Sequence, residues 1–175
     1  MNHDIVPINR APVLTLWASV VAECLGYDRG EARSLGKALA AINARPKTRP
    51  SSVVLRVEKP AEARKMLQGE DFLVVLLGRS IPAKNTPEGV RAVDEGRPVD
   101  PAFVDRYLQG KFNHRLADVE AAMMFLARSF KPDKLSAGAF TLYERFRPAI
   151  PEGVKGRGAP GGLDLSLIRS LAPKS

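Results

Sequence analysis

The chain has 175 residues, of which 45% are hydrophobic and 26% charged, and its net charge is +8. This composition is typical of a globular domain and excludes disorder of the whole chain. The single cysteine, Cys24, excludes an internal disulfide and a zinc site built from several cysteines. The first residues lack the pattern of a secretion signal, and no apolar run has the length of a membrane span. We therefore expect a soluble, cytoplasmic protein with no membrane partner.

Hydrophobic periodicity predicts two helices before residue 46. The first, over residues 11–26, places apolar side chains at helical spacing and ends at a glycine. The second begins at Asp28, because Asp28 and Glu31 have the spacing of a capping box. It ends before Pro46, since the residue that precedes a proline avoids the helical region.

The middle of the chain predicts a small β-ribbon near residues 52–100. A strand is expected over 52–58 and a short helix over 60–68, while the apolar run 72–77 fits either a buried strand or a helix turn. Prolines and glycines between 78 and 100 exclude a long helix. Short strands at 80–85 and 90–93 are expected to pair around the turn at Thr86-Pro-Glu-Gly.

Three further helices are predicted over residues 101–109, 113–130 and 134–147, and Asp164 is expected to cap a last short helix. The predicted fold class is α+β, predominantly α-helical. Residues 1–175 are expected to form one domain, with 151–175 as a possible C-terminal appendage. The side chains expected to be buried are Trp17, Leu39, Met123, Leu142, Phe146 and, on the fourth helix, Phe103.

Positive charge is concentrated in two segments of the sequence. Residues 29–49 hold six basic side chains and one acidic side chain, and residues 145–157 hold four basic side chains and one acidic side chain. In the rest of the chain the numbers of basic and acidic side chains are equal. On a helix, Arg29, Arg33, Lys37 and Arg45 lie on one side. Such a stripe is typical either of a solvated outer face or of a surface for a polyanion. The candidate nucleic-acid-binding residues are Arg29, Arg33, Lys37, Arg45, Lys47, Arg49, Lys155 and Arg157.

No catalytic, metal-binding or cofactor-binding residue is predicted. Residues 156–161 match G-x-G-x-x-G, but no strand precedes them and too little chain follows for a dinucleotide fold. The two histidines, His3 and His114, do not form a metal-binding pair, and no G-x-S-x-G is present. An enzyme with an unrecognised pocket is therefore only the third hypothesis.

Residues 150–156, Ile-Pro-Glu-Gly-Val-Lys-Gly, resemble the hairpin of helix-hairpin-helix DNA-binding motifs. In those motifs a Gly-hydrophobic-Gly turn offers backbone amides to phosphate. Here Gly153 and Gly156 stand one residue further apart, and a Gly/Pro connector between two helices is the alternative interpretation.

Stretches at both ends of the chain resemble a family of uncharacterised bacterial proteins. They are Ala-Pro-Val-Leu-Thr-Leu-Trp at 11–17, Leu-Gly-Lys-Ala at 35–38, Ile-Asn-Ala at 42–44, Tyr-Glu-Arg-Phe-Arg-Pro at 143–148 and Val-Lys-Gly-Arg-Gly at 154–158. The resemblance implies a stand-alone bacterial domain and assigns no functional residue. The leading hypothesis is a nucleic-acid-binding or regulatory protein, and the alternative is a protein-interaction or scaffold module for an acidic partner.

Overall fold

The computed structural model describes residues 4–44, 55–149 and 161–173. The fold is α+β and predominantly helical, as the sequence predicts. No helix in these ranges combines the length and apolar character needed to cross a membrane. The helices are α1 (Arg10–Leu25), α2 (Arg29–Ala44), α3 (Pro60–Arg64), α4 (Pro101–Phe112), α5 (Leu116–Arg128), α6 (Pro132–Phe146) and α7 (Leu165–Ser170). The strands are β1 (Ile5–Ile8), β2 (Arg56–Val57), β3 (Asp71–Leu76), β4 (Arg79–Thr86), β5 (Gly89–Asp94), β6 (Arg97–Pro98) and β7 (Gly161–Asp164).

Helix α1 forms the centre of the core. Every residue from Pro12 to Ala22 is buried, which is the pattern of a helix surrounded by protein on all sides. Helices α2, α4, α5 and α6 all pack against it. Trp17 joins it to α6, because its indole N–H donates to the Ala139 carbonyl (2.9 Å) and its ring meets Phe146 edge-on. The sequence predicts one wide apolar face here, whereas the structure buries the whole circumference.

Helices α1 and α2 approach closely at Gly36. A Cβ atom added there would lie 2.5 Å from the Thr15 carbonyl oxygen and 3.0 Å from the Ser19 amide nitrogen. Both contacts involve backbone, which cannot swing aside as a flexible side chain can. Gly36 therefore sets the distance between the two helices.

The second element of the fold is a five-stranded sheet in the order β2-β3-β4-β5-β6. Strand β2 is parallel to β3, and the other pairs are antiparallel. The predicted pairing around residues 86–89 is confirmed, with Thr86 opposite Gly89. The apolar run at 72–77 is a strand, and the predicted strand at 52–58 is present over Arg56–Val57 within the described residues.

Helix α2 covers the edge of β5 with side chains that act as hydrogen-bond acceptors. Glu31 Oε2 accepts the Val90 amide (3.0 Å), and Ser34 Oγ accepts the Ala92 amide (3.1 Å). Sheet edges with unpaired amides invite association with other chains, and a helix across the edge prevents it. The predicted β-ribbon is thus part of a sheet held against α2.

The two ends of the described chain meet in a small separate sheet that the sequence analysis did not predict. Strand β1 pairs antiparallel with β7, with Val6 opposite Leu163. The predicted cap at Asp164 is confirmed, because its carboxylate accepts the amides of Ser166 and Leu167. Leu163 belongs to the same core cluster as α1.

Most predicted core residues are buried, with one exception. Phe103 on α4 is 53% exposed, so its predicted inward orientation is wrong, whereas Val104 and Leu108, which the same pattern places inward, are buried. The predicted helix over 113–130 begins as a single 3-10 turn at Asn113–Arg115, and the short helix predicted over 60–68 ends at Arg64. The core predictions that are confirmed are Trp17, Leu39, Met123, Leu142 and Phe146.

Replacing Gly36 with alanine should destabilise the protein. The gain in helix propensity is about 1 kcal/mol, whereas forcing a methyl group against backbone costs about 1–3 kcal/mol. Gly138→Ala is the matched control, since nothing lies within 4 Å of a Cβ added in the middle of α6. Urea unfolding should show a loss for Gly36→Ala and a gain for Gly138→Ala; equal effects would contradict the close approach.

Candidate nucleic-acid interface

The predicted basic stripe on α2 does not form a positive surface. Arg33 is 1% exposed and is therefore wrongly predicted as a phosphate contact. Its Nε donates to Asp105 (2.9 Å), Nη1 to the Ser19 hydroxyl (2.8 Å) and Nη2 to Glu120 (2.6 Å). The guanidinium thus ties α2 to α1, α4 and α5, because each of its three nitrogens binds a different helix. The sequence pattern predicts the side of α2 on which Arg33 lies, but it does not predict that other helices pack against that side.

The two neighbours of Arg33 in the stripe are also engaged by the fold. Arg29 is exposed, but its Nη1 lies 3.2 Å from Glu120 Oε1 and 3.8 Å from Glu23 Oε1. Lys37 is half-buried, with its ammonium 4.8 Å from the centre of the Tyr107 ring. Arg29 is thus compensated by two carboxylates, whereas Lys37 contacts an aromatic ring and has no ion-pair partner among the described residues.

The remaining predicted residues lie outside the described ranges. The resemblance to a helix-hairpin-helix turn at 150–156 lies there too, as does nearly all of the glycine-rich stretch at 156–161. Their roles stay predictions. These residues are Arg45, Lys47, Arg49, Lys155 and Arg157.

A different group of arginines lies along α6 and stacks with aromatic rings. The Arg79 guanidinium lies 4.4 Å from the centre of the Phe140 ring, which is itself stacked on Tyr143 at 5.6 Å and 12°. The Arg147 guanidinium lies 5.9 Å from the Tyr143 ring. We call Arg79, Phe140, Tyr143 and Arg147 the arginine–aromatic ladder.

Arg79 reaches the ladder because it follows the tight turn between β3 and β4. Leu77 and Gly78 both have positive φ angles (49° and 71°), which a two-residue hairpin turn requires. Asn43, near the end of α2, then orients the side chain, because its Oδ1 accepts from Arg79 Nε (3.3 Å) and Nη2 (3.1 Å). Arg79 Nη1 has no hydrogen-bond partner among the described residues.

A third arginine reinforces the positive charge at one end of the ladder. Arg10 Nε donates to the Pro148 carbonyl (2.7 Å), next to Arg147. Burial raises the pKa of Tyr143, and the positive charges of Arg147 and Arg10 act in the opposite direction. No carboxylate of the described chain lies within ion-pair distance of Arg10, Arg79 or Arg147. Their charge is therefore not neutralised by the described part of the fold.

The ladder contacts residues of both basic segments close to where the described ranges end. Asn43 comes two residues before Arg45, and Arg147 directly follows α6, shortly before residue 150. The helical spacing of Phe140, Tyr143 and Arg147 is visible in the sequence and could have revealed a stripe. The contribution of Arg79 could not, because it depends on how the sheet packs.

Known proteins give no guide to this interface. Comparisons with family models, curated proteins and solved structures find no match to the chain. Within the described ranges, no three His, Cys, Asp or Glu side chains are grouped so that they could hold a metal ion.

Replacing Arg33 with methionine should cost about 3 kcal/mol of unfolding free energy. Removing one partner of a buried ion pair costs about 3–5 kcal/mol, and the lower end applies because Asp105 and Glu120 keep contact with water. Arg106→Met, at an exposed position on α4, is the control and should change stability by less than about 0.5 kcal/mol. Chemical denaturation of both variants measures the difference in the free energy of unfolding. Equal values for the two variants would contradict a stabilising role for Arg33.

Stability should fall in acid because the buried carboxylate of Glu31 and the half-buried carboxylate of Glu120 are paired in the folded state. Burial acts to raise the pKa of Glu31 and of Glu120, but it is outweighed by several contacts together. Arg64 and two backbone amides lower the pKa of Glu31, and Arg33 and Arg29 lower that of Glu120, so both lie below the ordinary 4.5. A lowered folded-state pKa contributes stability above the unfolded value, and that contribution is lost as the pH falls through the folded value. Urea titrations should therefore show a steep loss below about pH 5. Arg64→Gln should flatten it, and a pH-independent stability would contradict these ion pairs.

Proposed function

We propose that this protein binds nucleic acid through phosphate contacts at the arginine–aromatic ladder. The observation that supports the proposal is a cluster of three arginines without carboxylate partners in the described chain, two of which stack on the rings of α6. Guanidinium groups suit this role because their planar fork matches the oxygens of a phosphate. The proposal retains the nucleic-acid hypothesis of the sequence analysis but moves it from α2 to α6.

The geometry favours backbone contacts over base readout. Stacking on Phe140 and the bonds to Asn43 fix the plane of the Arg79 guanidinium, so less side-chain entropy is lost when it binds. Its free Nη1 supplies donors to a phosphate oxygen. Phosphate contacts carry no sequence information directly, so we expect little dependence on sequence.

The two basic segments of the sequence would extend the same surface. Their ends join the described fold at Ala44 and Ala149, next to ladder contacts. Each additional phosphate neutralised by a lysine or arginine releases counterions and steepens the salt dependence. Arg45, Lys47, Arg49, Lys155 and Arg157 remain the residues predicted to make these contacts.

Replacing Arg79 and Arg147 together with glutamine should weaken binding to every nucleic acid tested. Fluorescence anisotropy with a labelled mixed-sequence duplex, between about 50 and 200 mM salt, gives log K against log salt. Loss of two phosphate contacts should reduce the magnitude of that slope by about 1.8. Single-stranded DNA and RNA of equal length test whether the duplex itself matters.

The control is the double variant Arg97→Gln and Arg106→Gln. Both arginines are exposed, lie on β6 and α4 outside the ladder, and have no ion-pair partner among the described residues. The net charge changes equally, so an equal loss of affinity would show that overall charge and not the ladder drives binding. Absence of binding at low salt would overturn the proposal and leave the acidic protein partner as the hypothesis to test.

A further inference from the structure

A cleft of about 570 Å³ opens where the end of α1 and the start of α2 face the end of α5 and the start of α6. Met124, Phe130 and Leu135 give it an apolar side, and Glu23 and Cys24 lie on the other. Small-molecule sites commonly have volumes of about 300–1,000 Å³. Charged side chains make up much of the lining, since Asp28, Arg29 and Arg128 also border the cleft. The cleft lies at the start of α6 and the ladder toward its end, so the two sites are separate.

Glu23 brings an unsatisfied polar group to the cleft. Its Oε2 is buried and has no hydrogen-bond partner in the described structure, while Oε1 lies 3.8 Å from Arg29. Burial is the main reason that the pKa of Glu23 is raised, while the positive charges of Arg29, Arg33 and Arg128 act in the opposite direction. Buried polar groups in folded proteins are almost always satisfied, so an unsatisfied one in a concave site marks a position for a polar group of a ligand.

Arg128 supplies an uncompensated positive charge at the same cleft. It is exposed, and no carboxylate of the described residues lies within ion-pair distance of it. It lines the cleft together with Cys24, whose thiol lies 3.5 Å from the Met124 sulfur. Burial raises the pKa of Cys24, so the thiol stays neutral and leaves the charge of Arg128 for a ligand.

We propose that this cleft binds a small amphipathic organic acid. The carboxylate of the ligand pairs with Arg128, the apolar body packs against Met124 and Phe130, and a polar substituent bonds to Glu23 Oε2. Binding is noncovalent. The proposal is independent of nucleic-acid binding, because none of these side chains belongs to the ladder.

Two side chains report directly on the cleft. Cys24 is the only cysteine of the chain, so its rate of alkylation by iodoacetamide measures access to the site. The ε-methyl of Met124 gives a second signal in protein labelled with ¹³C-methyl methionine, and Met66, which does not line the cleft, is the internal reference. Phenylacetate and octanoate are the probes, and phenylacetamide and octanamide are their uncharged counterparts.

We expect both acids to slow alkylation of Cys24. We also expect them to shift the Met124 signal until the site is saturated, while the Met66 signal does not shift. The amides should bind at least about tenfold more weakly, because they cannot form a charged pair with Arg128. Arg128→Gln should weaken the acids by a similar factor, and Arg106→Gln should leave them unchanged. Unaltered signals for Met66 and Met123 establish that the variants are folded.

Three results would overturn the proposal. In the first, neither acid at millimolar concentration slows alkylation of Cys24 or shifts the Met124 signal. In the second, the acids and the amides bind equally well. In the third, Arg128→Gln binds the acids with unchanged affinity. None of them bears on the nucleic-acid titrations, which use different variants and a different site.

Discussion

The structure depends on how α2 buries two opposite charges on two different sides. Glu31 and Arg33 stand two residues apart, which on a helix places them on nearly opposite faces. Glu31 meets the amide edge of β5, and Arg33 meets three other helices. A buried charge without its partners is costly, so rotating α2 about its axis would leave both unsatisfied at once. These two residues therefore fix the orientation of the element between the sheet and the helical part of the fold.

This constraint explains why charge patterning misleads in this chain. The spacing of Arg29, Arg33 and Lys37 correctly indicates one side of a helix, but spacing does not reveal whether that side faces water or carboxylates. The partners of Arg33 lie 72 and 87 residues further along the chain. No local pattern links an arginine in a basic segment to an aspartate and a glutamate at such a separation.

Features set by neighbouring residues were predictable, and those set by packing were not. The capping box at Asp28, the cap at Asp164 and the hairpin around residues 86–89 follow from chemistry within a few residues. The pairing of β1 with β7 does not, because one strand contains a proline and the other two glycines, and neither alternates clearly. The ladder combines both kinds of feature. The spacing of its residues on α6 is visible in the sequence, whereas the position of Arg79 depends on how the sheet packs against that helix.

The burial of α1 on all sides also has a consequence for synthesis of the chain. Helix α1 is synthesised before the helices that cover it, and the indole N–H of Trp17 donates to the Ala139 carbonyl, 122 residues later in the chain. Contacts over such separations slow folding, and until they form the nascent helix exposes apolar surface around its whole circumference. A segment that is buried on every side in the folded state would thus be one of the most exposed apolar segments during translation.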